Sequence, residues 1–539
     1  MPELDPAQHE EVLGHPKGLF VCFATELWER FSFYGMKFLL LLYLTKYHLF
    51  SDHDAFDVLG SYAGLVYALP VIGGILADSY LGMRKAVVFG AVLLCLGHGA
   101  MAYEGFQAVE YAAGTTLQET LTLPSGQIVA AGTTLQESII IRDDQALEVF
   151  YFALALIIAG VAFLKANISA IVGQLYVKND PRRDRGFTIY YMGINLGSLL
   201  ATLICGWLGE TYGWGYGFGA AGVGMVLGLF TFLSGQKHFH GVSDPPNPAK
   251  LREKFLGVVS KEVLIYGVSI LSLYAIWHLV RHEPVVYVMQ NVLLWLSVAG
   301  LLVYSFLKGN TEDRYRMGVL TILILSSVVF WALFEQSAGS MTLFADRGID
   351  RMMAGAEVRA SQLGSLNPIF IVLLAPVFAW FWGWLGNRNL EPSTPVKFSL
   401  GIVLAGLGFG ALVVGISIAQ SSGTKTGLVW LVLAYLLHTM GEICVSPVGL
   451  SAVTKLSIGR VVGFAMGTWF LATSLSETVA TRLGKIAAID TGAAETADLA
   501  SSLAVYSELF LFLTYVGVGT GLFLLLLSPL LKRGMRGVV

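Results

Sequence analysis

Residues 24–44 read ATELWERFSFYGMKFLLLLYL. The run is long enough for a membrane-spanning helix, which needs about 20 residues to cross roughly 30 Å of hydrocarbon. Yet its first half carries Glu26, Glu29 and Arg30, and Lys37 follows two turns on. A charge at mid-helix costs about 3 kcal/mol on insertion scales, so four of them demand partners or a purpose. Glu26, Glu29 and Arg30 stand at i, i+3 and i+4 and project from one helix face. Two carboxylates sharing one guanidinium cannot both stay ionised comfortably away from water, so one is expected to bind and release a proton. A static ion-pair staple between helices is the plainer alternative; the surplus carboxylate favours the relay.

The rest of the chain supplies a matching context. Of 539 residues, 55% are hydrophobic and 13% charged, about half the charge of an ordinary soluble domain. The net charge of −3 gives no electrostatic footprint for nucleic acid. Fourteen apolar runs of spanning length are predicted, near 19–47, 56–78, 85–104, 148–177, 186–208, 215–235, 255–279, 285–307, 317–345, 361–386, 396–418, 427–455, 461–486 and 502–531. Each must be helical, because lipid offers the backbone no partners. An even number puts both termini on one side. Loops on that side hold 21 of the 34 Lys and Arg residues, and the opposite loops hold 7. By the positive-inside rule both termini are then cytoplasmic. No basic stretch followed by a short apolar one opens the chain, so no cleaved signal peptide is expected. Cys22, Cys95, Cys205 and Cys444 lie in apolar segments without paired spacing and read as buried thiols.

The predicted fold is an all-α integral membrane protein with an inserted helix pair. Residues 1–18 form a cytoplasmic N-terminal segment, 19–235 a first six-helix bundle, and 236–316 a linker with a two-helix hairpin. Residues 317–531 form a second six-helix bundle and 532–539 a cytoplasmic tail. An outer loop over 104–147 contains AAGTTLQE twice, eighteen residues apart, and between the copies TLTLPSGQIV reads as a β-hairpin. The helix pair follows the Pro-rich GVSDPPNPAKLREK and is read as a peripheral hairpin added between the two six-helix halves.

Other charges at membrane depth are few. Lys165 lies in AGVAFLKANIS, Glu335 in FWALFEQSAGS and Glu442 in HTMGEICVSP. A zwitterion could bridge such groups, its carboxylate toward Lys165 or Lys37 and its amine toward Glu335 or Glu442; alternatively Glu335 pairs with Lys37 as a gate, or the four simply neutralise one another. Tyr34, Tyr67, Asn195, Asn367, Trp331 and Trp469 add aromatic walls and amides of the kind that line pockets. The turn GGILADSYLGMRK gathers Asp78, Arg84 and Lys85, a set suited to a latch between helix ends. No nucleophile elbow, phosphate loop or His-Glu-x-x-His segment is present, and His438 with Glu442 makes a poor metal site. Neither a metal nor an organic cofactor is expected, and the chain is not read as an enzyme.

These segments resemble a known family. GGILADSYLGMRK is similar to the loop motif of the major facilitator superfamily. ELWERFSFYG resembles the E-x-x-E-R-F-x-Y-Y-G signature of its proton-coupled oligopeptide transporters, the POT or PTR2 branch, and IYYMGINLGS resembles the second signature, F-Y-x-x-I-N-x-G-S. FLKANIS, FWALFEQ, SLNPIF and GEICVSPVGLS follow in the expected order, so the likeness covers roughly 19–531 apart from the outer loop. It implies a bacterial inner-membrane symporter of protons with di- and tripeptides, driven by the proton gradient and working as a monomer. It further implies proton coupling through Glu26, Glu29, Arg30, Lys165 and Glu335. Arg30, Tyr34, Lys37, Tyr67, Lys165 and Asn195 would meet the carboxyl side of the peptide, and Glu335, Asn367, Glu442 and Ser446, walled by Trp331 and Trp469, its amino side. Glu26→Gln would then abolish gradient-driven accumulation and spare exchange. Three positions depart from the pattern: Phe33 replaces a Tyr, Lys37 stands for an Arg, and Ala166 for a Pro. A carrier of nitrate, another small anion or a peptidomimetic is the alternative on this scaffold; a membrane enzyme or peptide receptor is the alternative of another kind.

Overall fold

The computed structural model describes residues 10–122, 128–177, 180, 182–255, 257–353, 355–488 and 498–538. The start of the N-terminal segment, the turn of the expected hairpin around Pro124, Lys178 and the last residue lie outside the described residues.

Among the described residues, helices of spanning length occupy all fourteen predicted runs: α1 Lys17–Lys46, α2 Asp52–Ala68, α3 Met83–Met101, α4 Asp144–Gln174, α5 Arg183–Tyr212, α6 Trp214–Gly235, α7 Lys261–Val280, α8 Glu283–Lys308, α9 Thr311–Phe334, α10 Leu366–Gly386, α11 Thr394–Ser422, α12 Leu428–Leu456, α13 Val462–Gly484 and α14 Leu499–Gly534. Twelve spans are apolar enough to cross a membrane by composition alone. The two helices outside that set, α1 and α13, carry buried charges in their midst.

Two runs break where the sequence reading has them continuous. The second is interrupted at Leu69, because Pro70 lacks the N–H needed to carry on the ladder; a new segment runs over Pro70–Leu76, followed by a wide turn over Ala77–Leu81 and Gly82 at φ +74°. The ninth ends at Phe334 and resumes as Ser340–Arg347. There the Gln336 amide donates to Ala332 O, the carbonyl one helical turn back, and to Ala480 O on α13, so side-chain bonding replaces regular helix. Glu335 sits at this break.

α1 is the centre of the first bundle, lying against α5 and α6, and α11 is the centre of the second, against α12 and α14. Small residues bring the backbones together, as bilayer helices require. A Cβ on Gly197 would lie 2.3 Å from Leu27 O, and one on Gly517 would lie 2.6 Å from Gly406 Cα. The bundles meet where α2 packs on α13 and α5 on α10. At the α2–α13 seam a Cβ on Gly60 would lie 2.3 Å from Thr481 Oγ1, and one on Gly64 would lie 2.2 Å from Gln290 Nε2. Ser474 Oγ donates to Gly64 O at 2.7 Å.

The end of the molecule away from the termini is shut by links between bundles. Arg347 grips Asp52 through two bonds of 2.6 and 2.7 Å, Lys46 pairs with Asp346 at 2.9 Å, and Lys485 pairs with Asp57. The hairpin α7–α8 divides its attachments. α7 lies on α4, and Glu262 pairs with Lys85 at 2.5 Å. α8 lies on α13: Gln290 donates to Ser474 Oγ at 2.9 Å and accepts from Thr478 Oγ1 at 2.7 Å, while Glu283 takes two bonds from Arg482. The pair is peripheral, as expected, yet it reaches the seam between the bundles.

In the outer loop, Val109–Tyr111 pairs antiparallel with Ile139–Ile141, and Leu121–Thr122 with Ile128–Val129, which bears out the hairpin. The two AAGTTLQE copies pair with each other. Gly114 N donates to Leu135 O and Gly132 N to Leu117 O, both at 2.8 Å, and Leu117 and Leu135 are buried.

His48, just beyond α1 at this same end, is fully buried among Tyr43, Tyr47, Phe50 and Phe150. Burial, with Arg142 nearby, pushes its imidazole down to about 4. The unfolded chain therefore binds a proton that the folded one excludes, and stability present above about pH 6.5 is lost as pH falls toward 4. His48→Phe is expected to flatten that loss, so thermal melts of wild type and variant at pH 7 and pH 5 should diverge only at the lower pH.

Candidate functional site

The buried charges fall into three groups along the surface where the bundles face each other. The first belongs to α1. Arg30 Nε lies 2.8 Å from Glu26 Oε1 and 3.0 Å from Glu29 Oε2. The two acids, equivalent in sequence, differ in surroundings. Glu26 Oε2 also accepts from Tyr190 OH at 2.7 Å, so both its oxygens are engaged. Neither oxygen of Glu29 accepts a well-aligned hydrogen bond from a described group, although both are buried. A carboxylate in that position is the one whose charge the protein stabilises least. Tyr190 was not singled out in the sequence; it stands at the first position of the second signature, where the pattern has Phe. The chain thus lacks a hydroxyl at Phe33 and has one at Tyr190.

Lys165 on α4 projects toward this group. Its Nζ lies 3.6 Å from the centre of the Tyr67 ring and 5.9 Å from that of Phe33, and it has no hydrogen-bond partner among the described residues. Arg30 and Lys37 also lie over Phe33, at 5.7 and 5.8 Å. One ring is therefore shared by three cations, a place for a cation–π contact with each.

The second group joins the bundles. Lys37 Nζ donates to Glu335 Oε2 at 2.8 Å, as the gate reading expects, and also to both oxygens of Glu477, at 2.9 and 3.1 Å. Glu477, on α13, was missed in the sequence. It lies in TSLSETVATR, where five hydroxyl residues make the acid look unremarkable. Its only sequence signal is that an acid sits in the middle of a predicted span.

The third group is on the second bundle. Asn367 Nδ2 donates to Glu442 Oε2 at 2.8 Å and to Thr439 Oγ1 at 3.1 Å. Glu442 and Ser446 line a cavity of about 820 Å³ that runs from Tyr191 on α5 out past Lys397 and Lys455 to Met535, at the terminal end. The molecule is thus closed at one end and open at the other.

Several expected residues stand elsewhere. Asn195 donates to Tyr191 O within its own helix. Trp469 is buried against Phe398 and Gly449, as packing and not as a wall of the cavity. Trp331 stacks edge-on with Phe330 and Phe334. Tyr34 packs on Phe33 and Phe38. Asp78 does not join a latch with Arg84 and Lys85: the wide turn at 77–81 leaves it exposed, with no ion pair to a described residue. Those two bases bind Asp244, at 2.8 Å, and Glu262 instead. The His438 Nε2–H donates to Ala405 O, and the described residues hold no cluster of metal-ligating side chains.

Chemically, the three groups set five carboxylates against three cations in a poorly hydrated interface. Such an interface is suited to exchanging protons and to holding a ligand with both charges.

The POT family model (PTR2) matches residues 84–498. The chain is 36% identical to "Uncharacterized transporter YclF" of Bacillus subtilis, over 98% of this chain and 96% of that one. It is 30% identical to "Dipeptide and tripeptide permease A" of Cronobacter turicensis, over 96% and 93%. Among solved structures it is similar to a mutant of peptide transporter POT in complex with alafosfalin, at 32% identity and a TM-score of 0.76 over 98% of both chains. With two six-helix bundles of the major facilitator type and the inserted pair, the chain belongs to the POT family.

Proposed function

We propose that the protein is a proton-coupled symporter that imports di- and tripeptides by alternating access. The reading is supported most by one observation: a surplus of two carboxylates where two bundles meet, with a cavity open on one side only. A peptide entering that cavity offers an ammonium that matches Glu442, held by Asn367 beside Ser446, and a carboxylate that matches Lys165 and Arg30. Once the peptide carboxylate draws on those two cations, Glu29 is left short of positive charge and takes a proton. Peptide and proton thereby favour the same closed state, which is coupling in the thermodynamic sense. The names of the relatives, a dipeptide and tripeptide permease and a peptide transporter, agree with this substrate class.

The Lys and Arg excess on the terminal side supports a cytoplasmic position for that side and for the open cavity, and the bacterial relatives support the inner membrane. One chain holds both bundles and the whole pathway, so a monomer suffices. An inside-negative potential favours inward movement of each net charge by about 2.3 kcal/mol per 100 mV, and import is the direction that follows. Purified protein in proteoliposomes, acidic outside and negative inside, should concentrate labelled dialanine above its external level. Equal accumulation after protonophore treatment would overturn the reading.

A further inference from the structure

From the turn of the inserted hairpin we infer that residues 281–283 form a strap across the outer seam. One end is tied to each bundle, so the insertion favours the state that is closed on the outer side. The inference rests on the alternating-access part of the reading above and not on the nature of the cargo.

The strap is two ion pairs joined through one residue. Arg281, at the end of α7, pairs with Glu148 on α4, in the first bundle. Glu283, at the start of α8, takes bonds of 2.7 and 2.9 Å from Arg482 on α13, in the second. Only His282 stands between the two tied residues. Cα atoms two residues apart can be separated by no more than about 7 Å, so the turn limits how far α4 and α13 can part at this level. The direct links Arg347–Asp52 and Lys485–Asp57 tie the second bundle to α2. The strap extends that tie to α4.

Little slack is left in it. The Arg281 guanidinium lies 3.9 Å from the centre of the Trp277 ring and 4.4 Å from that of Tyr151 on α4. The Arg482 guanidinium lies 3.7 Å from the centre of the Tyr287 ring on α8. Within the turn, His282 Nδ1–H donates to His278 O at 2.7 Å, and the Arg281 and His282 amides donate to His278 O and Leu279 O. Pro284 fixes φ in the first turn of α8. Val280 and Val286 bury the chain on either side. A turn packed in this way transmits a pull instead of stretching.

The two ends differ in strength. The Glu283 side chain is 1% exposed and holds Arg482 through two bonds, whereas that of Glu148 is 54% exposed. A bidentate pair on a buried acid is the stronger kind, and a pair open to water the weaker. The α4 end therefore yields when the outer side opens. The turn then leaves with α8 and the second bundle, while the far end of α7 stays on the first bundle through Glu262 and Lys85. The pair re-forms when the outer side closes, and its strength biases the equilibrium toward closure without any contact with peptide.

The width of the outer seam can be read with spin labels on cysteines at His53, in the first turn of α2, and Thr424, in the loop between α11 and α12. Both positions are exposed. Cys95, the one native cysteine not fully buried, is replaced by alanine. In Glu148→Gln the ratio of long to short distances should rise about two- to five-fold over wild type, as an exposed pair allows. Wild type should approach the variant in about 1 M salt, where such a pair is screened. Glu283→Gln should give a similar rise, and the two changes together no more than the larger single one, because a strap cut twice is no looser. An unchanged ratio in Glu148→Gln overturns the inference. Effects of the two changes that multiply also overturn it, since the pairs would then act separately. Two distances in wild type that no variant redistributes would remove the strap alone. One distance in every chain, even with dialanine and an imposed proton gradient, would remove alternating access as well.

Discussion

Glu29→Gln is expected to remove one proton's share of the uphill accumulation of dialanine while exchange of labelled for unlabelled peptide continues. At 100 mV one co-transported charge sustains a gradient of about 50-fold, from 2.3 kcal/mol and 1.36 kcal/mol per tenfold; the variant should equilibrate near onefold for that proton's contribution. The reason is the asymmetry between the two acids of α1. Glu26 holds Arg30 and the Tyr190 hydroxyl, and both its oxygens are bonded. Glu29 has Arg30 at 3.0 Å but no aligned donor, so an amide there removes a proton site and strands nothing. The family resemblance points to Glu26 for this role; we propose Glu29 instead, from its lack of an aligned donor. Glu26→Gln should instead disturb Arg30 and Tyr190, and a variant pair in which Glu26→Gln uncouples while Glu29→Gln accumulates normally would reverse the assignment.

The second large effect is expected at Lys37. Lys37→Gln leaves Glu335 and Glu477 buried without a cation, and breaking a buried pair in this way costs about 3–5 kcal/mol. Uptake should fall by more than about 100-fold, since each 1.4 kcal/mol is a factor of ten. The lesion lies in outer closure, not in peptide contact. A cysteine introduced at Ser61, which is fully buried in α2 beside the α13 seam, should therefore become reactive toward an impermeant maleimide from the outer side. Neutralising both stranded acids in the same chain, with Glu335→Gln and Glu477→Gln, should restore its protection. Persistent reactivity in the triple variant would show that the ammonium acts otherwise than by matching those two charges.

The features legible in the sequence are those where a charge interrupts an apolar run. Glu26, Glu29, Arg30 and Lys37 announce themselves because the stretch around them is largely apolar, and the alternation of Lys and Arg between loops supports the number of crossings. The Lys37–Glu335 link was within reach because only a handful of charges needed partners. Glu477 was hidden by its Ser- and Thr-rich neighbours, and its role depends on α13 meeting α1 across more than 400 residues of chain, which no local pattern encodes. Tyr190 was hidden for another reason: a Phe-to-Tyr change on an interfacial helix reads as packing until a carboxylate is found 2.7 Å from the hydroxyl. Asp78 is close to Arg84 and Lys85 in sequence but not paired with them in space, because the wide turn at 77–81 leaves it exposed while those bases bind Asp244 and Glu262.

The inserted helices have one more implication. One leg is fastened to the first bundle, through Glu262 to Lys85 and through the Arg281–Glu148 pair. The other leg is fastened to the second bundle, through Gln290 and Glu283. The legs join only at the short connection around Arg281 and His282, at the outer end. They form a pair of dividers whose points travel with different bundles, so the gap between their cytoplasmic tips widens or narrows as the carrier cycles. Val263 near the tip of one leg and Leu307 near the tip of the other are more than half exposed and make no part of the pathway. A dye pair placed there would turn the insertion into a ruler for the transport cycle.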